Sequence, residues 1–503
     1  MKPHYRLMAW AAVWLALAAP VLAQDQPQKP ESTSEQRAGR AGVLSLLPAD
    51  SVTEHVLDAP SRKIAYTATA GTLPIFDQNG ERKAAVFYTA YVARGGEAAN
   101  RPLTFVFNGG PGAASVYLHL GVVGPKRLDF GPTGRDGANA QLRDNTESWL
   151  EFTDLVLIDP IGTGWSRTAK PDDTGYWSVS ADAQVVAKVI ALYVARNARG
   201  ASPKYLLGES YGGFRAVKVA RALQRDQGIV VAGIVMVSPL IEGGFVFGGG
   251  DRYSLGCALQ LPPIVASELE RNRAFTPEAI AEAERFAMSE YLVTLAGPAP
   301  KGEAAQAFYG RVAQLTGLPP DLVARSRGCV RGAYLNHRRE AQREVLSSYD
   351  ATVAAPDPFP GSDRRGPDPV LDGFTRALGG AFVGYAREHL GFKTDMTYAV
   401  LNGEVSGKWE WQGSSRGSPP SVSDDIREFL SLNPSFRLLV AHGYSDLVTP
   451  YTVSRYVIDH LPDFAEPERV QLKVYPGGHM YYFADQPRLD FARDARAFYQ
   501  AIQ

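Results

Sequence analysis

The chain has 503 residues, 45% hydrophobic and 21% charged, an ordinary globular composition with enough apolar material for a large core. Its 52 basic and 53 acidic residues leave a formal net charge of -1, which excludes the strong positive field that would recruit nucleic acid or an anionic membrane. No HExxH, paired-cysteine site or phosphate loop is present, so the sequence implies no metal and no cofactor.

Residues 1–23 set Lys2 and Arg6 ahead of an apolar stretch that ends in Pro20, Val21, Leu22 and Ala23, the pattern of a signal peptide cut after Ala23. The apolar core is short for a membrane span, which disfavours an uncleaved anchor. The expected destination is periplasmic or secreted, with no membrane attachment after cleavage. Residues 24–44 are rich in Gln, Pro, Glu, Ser and Arg and read as a disordered tether.

From residue 52 to 94 apolar and polar residues alternate, and Asp77, Gln78, Asn79 and Gly80 mark a tight turn, which predicts antiparallel hairpins. Leu103–Phe107 is a continuous apolar run ending in Asn108, Gly109, Gly110, Pro111 and Gly112, as in a buried parallel strand feeding a loop. Residues 155–158 repeat the pattern, 182–196 have helical periodicity, and 204–207 and 229–237 read as further buried strands. Strands alternating with helices predict an α/β fold with an open, mainly parallel sheet. Residues 242–420 break the pattern with Gly-rich and Pro-rich stretches around helical segments at 278–295 and 302–316. They are expected to be an inserted cap, leaving 45–241 and 421–503 as the main domain. The sheet resumes at 436–441, followed by a helix at 450–461, a strand at 470–475 and a last helix after Pro487. Within the cap, Cys257 and Cys329 either form one disulfide, the simpler state in an exported protein, or stay as two buried thiols.

The chemistry centres on GESYGG at 208–213. A serine hydroxyl attacks well when held exposed at a sharp strand-to-helix turn, which needs small neighbours, and Ser210 has Gly208 and Gly212. A second G-x-S-x-G, GSSRG at 413–417, lacks both the strand before and the helix after, so Ser415 is rejected. A serine nucleophile needs a base and a carboxylate to orient it. Asp446 and His479 follow the last two strands in the order serine, acid, histidine. His442 closes a strand and is expected to make a structural hydrogen bond instead. Two backbone N–H groups should receive the oxyanion, one from Tyr211 and one from Gly110.

NGGPG, a strand ending in Asp159 and Pro160 with Gly162 and Gly164 beyond, GESYGG, HGYSD and GGHM together resemble the serine carboxypeptidase family over residues 100–241 and 430–490. The resemblance implies an α/β-hydrolase fold with helices on both faces of the sheet and an insertion after the sixth core strand. It implies a bacterial-type exported member that removes single residues from peptide C-termini, with Ser210, Asp446 and His479 as its triad. It further implies Asn108 and Glu209, with Gly109 beside them, as partners of the substrate's terminal carboxylate, and Met480 as a wall of the leaving-residue pocket. Glu209 can serve there only when protonated, because two carboxylates share a hydrogen bond only through a proton. The family's second glutamate is Val122 here, and its usual tryptophan two residues before the asparagine is Val106. Arg325, Arg327, Arg331, Arg338, Arg339 and Arg343 in the cap could substitute, but Glu340 and Glu344 among them favour a solvated helix face. The same triad would also serve an esterase or acyltransferase. A non-catalytic binding protein would be expected to have lost a triad residue or the glycine loop, and neither is lost.

Overall fold

The computed structural model describes residues 42–501, except 96, 132–136, 248–252, 365, 412–418 and 463–467. The expected signal peptide, most of the tether and the rejected Ser415 lie outside the described residues. β1 (Ser51–Asp58), β2 (Lys63–Phe76) and β3 (Arg82–Ala93) form an antiparallel meander. Its second turn is built by Asp77, whose Oδ1 accepts the N–H groups of Asn79 and Glu81 at 2.9 Å each. β4 (Leu103–Phe107), β5 (Asp154–Ile158), β6 (Lys204–Glu209), β7 (Gly233–Val237), β8 (Arg437–Gly443) and β9 (Val470–Tyr475) run parallel to one another. The order is β1-β2-β3-β5-β4-β6-β7-β8-β9, with β3 joined antiparallel to β5.

The unbroken apolar runs of the parallel strands follow from burial on both faces. Leu103, Phe105 and Phe107 of β4 enter one core together with Val156, Leu206, Ile234 and Met236. Val106 enters the opposite core with Leu155, Leu157, Leu207, Val235 and Val237. α1 (Val179–Arg196) and α2 (Tyr211–Ala222) cover the first face. The run at 229–237 pairs only from Gly233, because Gly228 at φ 64° ends the preceding helix and Ile229 N–H caps it on Leu223 O at 3.0 Å.

Between the adjacent parallel strands β7 and β8 the chain makes a long excursion that packs in three places. α3 (Ser254–Arg271) and α4 (Arg331–Gln342) share a separate hydrophobic cluster with the helices at 277–286 and 302–316. Cys257, in α3, is bonded to Cys329 just before α4, with Cα atoms 5.4 Å apart. α5 (Leu371–Glu388) instead joins one core of the sheet through Phe374, Leu378 and Phe382, and α6 (Ser423–Leu432) joins the other. After β8 come α7 (Tyr451–Asp459) and, following β9, α8 (Asp485–Gln500). Among the described residues no helix is long and apolar enough to cross a membrane.

One buried ion pair ties α1 and α2 to the loop after β4. Arg215 Nε lies 2.6 Å from Asp182 Oδ2, and its Nη1 donates to the carbonyl of Asn108. Removing one partner of such a pair strands a charge away from water. Arg215→Met is therefore expected to cost about 3–5 kcal/mol in urea unfolding, and removing Asp182 as well to restore most of it. An unchanged midpoint in the single variant would contradict the role given to the pair.

Candidate active site

The turn from β6 into α2 holds Ser210 at φ 60°, ψ -125°, a strained conformation for a residue with a side chain. Its N–H donates to Val237 O at 2.9 Å, and its carbonyl accepts Leu240 N–H at 3.1 Å, so the end of β7 fixes the turn. Gly208 is required there, since a Cβ would fall 1.9 Å from the Gly212 carbonyl oxygen in the first turn of α2. The loop after β4 abuts the same turn: a Cβ on Gly109 would fall 2.6 Å from both Glu209 O and Tyr211 N. Gly110 and Tyr211 thus lie on two backbone segments pressed together beside Ser210.

Asp446, in the loop after β8, is fully buried. Its Oδ1 accepts the N–H groups of Val448 at 2.8 Å and Thr449 at 3.1 Å, and its Oδ2 meets His479 Nδ1 at 2.7 Å. Thr449 Oγ1 stands 2.8 Å from Asp446 Oδ2 and 3.1 Å from His479 Nδ1. Burial disfavours the imidazolium of His479, but the charge and hydrogen bond of Asp446 hold its pKa above the ordinary histidine value. His442 is not part of this arrangement. It bonds Ser454 Oγ through Nε2 at 2.7 Å, and burial pushes its pKa down to about 3.

Glu209 is buried beside Ser210. Asn108 Nδ2 and Tyr482 OH donate to its Oε2 at 2.5 and 2.7 Å. Burial pushes the Glu209 carboxyl up to about 7, against the charge of His479 and these two hydrogen bonds. Val122 and Val106, where the resemblance leads one to expect a glutamate and a tryptophan, are both core residues.

A cavity of about 190 Å³ brings together Asn108, Gly109, Gly110, Glu209, Ser210, Tyr211, His479 and Met480. Tyr117, Leu240, Phe247, Leu371, Leu401 and Trp411 make the rest of its lining largely apolar, and Glu209 and His479 are the charged groups among its described lining residues. Asp446 lies behind His479, and the disulfide is elsewhere. The six cap arginines do not line the cavity. Arg331 donates to Leu447 O at 2.7 Å, Arg339 pairs with Asp357 at 2.6 Å and Arg325 with Asp321 at 3.2 Å. No local sequence pattern marks Thr449 or Tyr482. Their neighbourhood of Asp446 and His479 in the chain, three residues on in each case, is the one signal available.

A mainly parallel sheet with helices on both faces, a strained serine at a strand-to-helix turn, and an acid and a histidine beyond the ends of the last two strands define an α/β-hydrolase. The family model described as serine carboxypeptidase matches residues 64–237. Serine carboxypeptidase-like 41 of Arabidopsis thaliana is 28% identical over 198 residues, which cover 38% of this chain and 40% of that protein. Serine carboxypeptidase-like 44 of the same plant is 29% identical over 165 residues, 31% of each chain. The chain thus matches less than half the length of these curated relatives. The solved structure of Kex1(delta)p, a prohormone-processing carboxypeptidase from Saccharomyces cerevisiae, aligns with a TM-score of 0.57 at 17% identity, over 91% of this chain and 94% of that one. At that identity the structural likeness speaks for the fold alone. Family model and relatives together show a likeness to the serine carboxypeptidase family over less than half of the chain. These relatives are plant proteins, so a bacterial-type member stays an expectation from sequence.

The charge pairing at His479 can be read directly. In Asp446→Asn the neighbouring negative charge is gone while burial remains, so the His479 pKa should fall below its wild-type value in histidine NMR titration. An unchanged value would contradict the pairing.

Proposed function

We propose that the protein is an exported serine-type carboxypeptidase that releases C-terminal residues from peptides through an acyl-enzyme. His479 takes the proton of Ser210 as Oγ attacks the carbonyl carbon of the last peptide bond. The N–H groups of Gly110 and Tyr211 receive the oxyanion, and Asp446 balances the charge that develops on the imidazole. The imidazolium then protonates the leaving amine, and the same base directs water onto the acyl-enzyme. Asn108 and protonated Glu209 bind the terminal carboxylate, and Met480 walls the space for the departing side chain. Residues 242–420 act as the cap, and the apolar lining that Phe247, Leu371 and Leu401 contribute favours substrates with apolar side chains. Residues 1–23 direct export to the periplasm or beyond.

The observation that carries this reading is a buried carboxyl, pushed up to about 7, in the same cavity as Ser210 and His479. A substrate ending in a carboxylate needs a proton donor at that place, whereas an esterase or acyltransferase acting on an uncharged substrate has no use for one.

Ser210→Ala should lower kcat on peptides roughly a million-fold while leaving the protein folded. A free-acid peptide should be cleaved roughly tenfold to a hundredfold better than its C-terminal amide, the worth of a hydrogen bond to a charged group. Equal rates would point to the esterase or acyltransferase reading. The pH dependence follows from two opposed requirements. Glu209 donates only while protonated, below about 7, and His479 is a base only when neutral, above its raised pKa. For a free-acid peptide kcat/KM should be bell-shaped with its optimum near neutrality, and for an ester substrate the alkaline fall should vanish. An equal alkaline fall on both substrates would contradict the role of Glu209.

A further inference from the structure

The two donors that hold Glu209 meet on a single oxygen. Asn108 Nδ2 and Tyr482 OH both reach Oε2, and among the described residues no protein donor reaches Oε1. Asn108 is itself fixed, because Leu118 N–H donates to its Oδ1 at 3.1 Å and turns the NH2 group toward Glu209. Tyr482 is fully buried and packs closely against Gly121, where a Cβ would come 2.6 Å from its ring. The next residue, Val122, has no polar side-chain atom to offer, and a hydroxyl arrives over Gly121 instead. Burial and the neighbouring Glu209 hold the Tyr482 hydroxyl well above the ordinary phenol range, so it remains an O–H donor. With Oε2 occupied by two donors, the proton of the carboxylic acid belongs on Oε1, the oxygen left to the cavity.

We propose that Tyr482 is a positioning residue for substrate recognition: it anchors Glu209 through Oε2, so that the opposite oxygen presents its proton to the terminal carboxylate of a bound peptide. The proposal rests on the carboxypeptidase reading above and adds a residue to it. A glutamic acid without this anchor can turn its proton onto either oxygen, which weakens recognition without touching the nucleophile. The groups that act on the Glu209 charge are His479, which favours it, Asp446, which opposes it, and the neighbouring hydroxyls of Tyr117, Tyr349 and Tyr481. Tyr482 favours the ionised form by donating to it, so its removal leaves Glu209 protonated to higher pH.

The test is Tyr482→Phe, assayed beside the wild type on a free-acid peptide, its amide and an ester of the same sequence, on both sides of neutral pH. The expected result is a KM for the free acid raised roughly tenfold, with a much smaller change in kcat. Its alkaline limb should move to higher pH, and the ester should change far less than the acid. Equal losses on acid and ester would reveal a merely structural tyrosine and overturn the proposal. A wild-type preference for the free acid that survives in the variant with unchanged KM and pH profile would overturn it while leaving the parent reading intact. A wild type indifferent to the free carboxylate would overturn both.

Discussion

The three side chains proposed for catalysis come from three separate strand ends, and the bonds that hold those ends together pass through residues 237–240, where β7 stops. Val237 O accepts the N–H of Ser210, and Leu240 N–H returns to the Ser210 carbonyl. Ser238, at φ 43°, donates its hydroxyl to His479 O at 2.8 Å. The Thr449 hydroxyl, beside Asp446, stands 2.8 Å from the Ser238 carbonyl. Ser210, Asp446 and His479, the proposed nucleophile, acid and base, are thus positioned against one short backbone segment at the carboxyl edge of a parallel sheet. That edge is where open α/β sheets place their ligands, because the strand ends splay into loops there. The strained backbone at Ser210 persists because both of its peptide groups are fixed by this neighbour.

A second constraint is the burial of Glu209 one residue before the serine. An ionised carboxylate there would be costly, and two donors on Oε2 recover part of what desolvation takes away. The charge of His479 pulls Glu209 toward ionisation and the charge of Glu209 pulls His479 toward protonation. The two groups therefore titrate as a coupled pair. The form proposed to be active, neutral base with neutral acid, holds the same number of protons as imidazolium with carboxylate. In the proposed mechanism a substrate carboxylate at Glu209 would favour the first form, since it repels a second negative charge, and recognition would in this way ready the base.

The legible parts of this architecture are those whose signal is local. Leu103–Phe107 reads as a strand because burial on both faces makes every position apolar, with Phe105 in one core and Val106 in the other. Ser210 and His479 stand out because each sits among glycines that its turn requires. α3 is hidden because Pro262 and Pro263 lie inside it, where each removes a backbone bond. It persists through packing, with an unbroken buried stretch from Gly256 to Ser267 that no propensity scale registers. α5 is likewise obscured by the Pro- and Gly-rich run before it. Tyr482 is the most instructive case. Its partner Glu209 is 273 positions away, and a contact of that separation leaves no trace in spacing or composition.

The central claim is that Ser210 is the nucleophile and that the surrounding turn, base and oxyanion donors activate it. Its most direct test is to react the folded protein with a fluorophosphonate and locate the adduct by peptide mass mapping. The account predicts a single stoichiometric adduct on the peptide containing Ser210, lost when the protein is unfolded first. Absence of labelling, or an adduct on another serine, would contradict it.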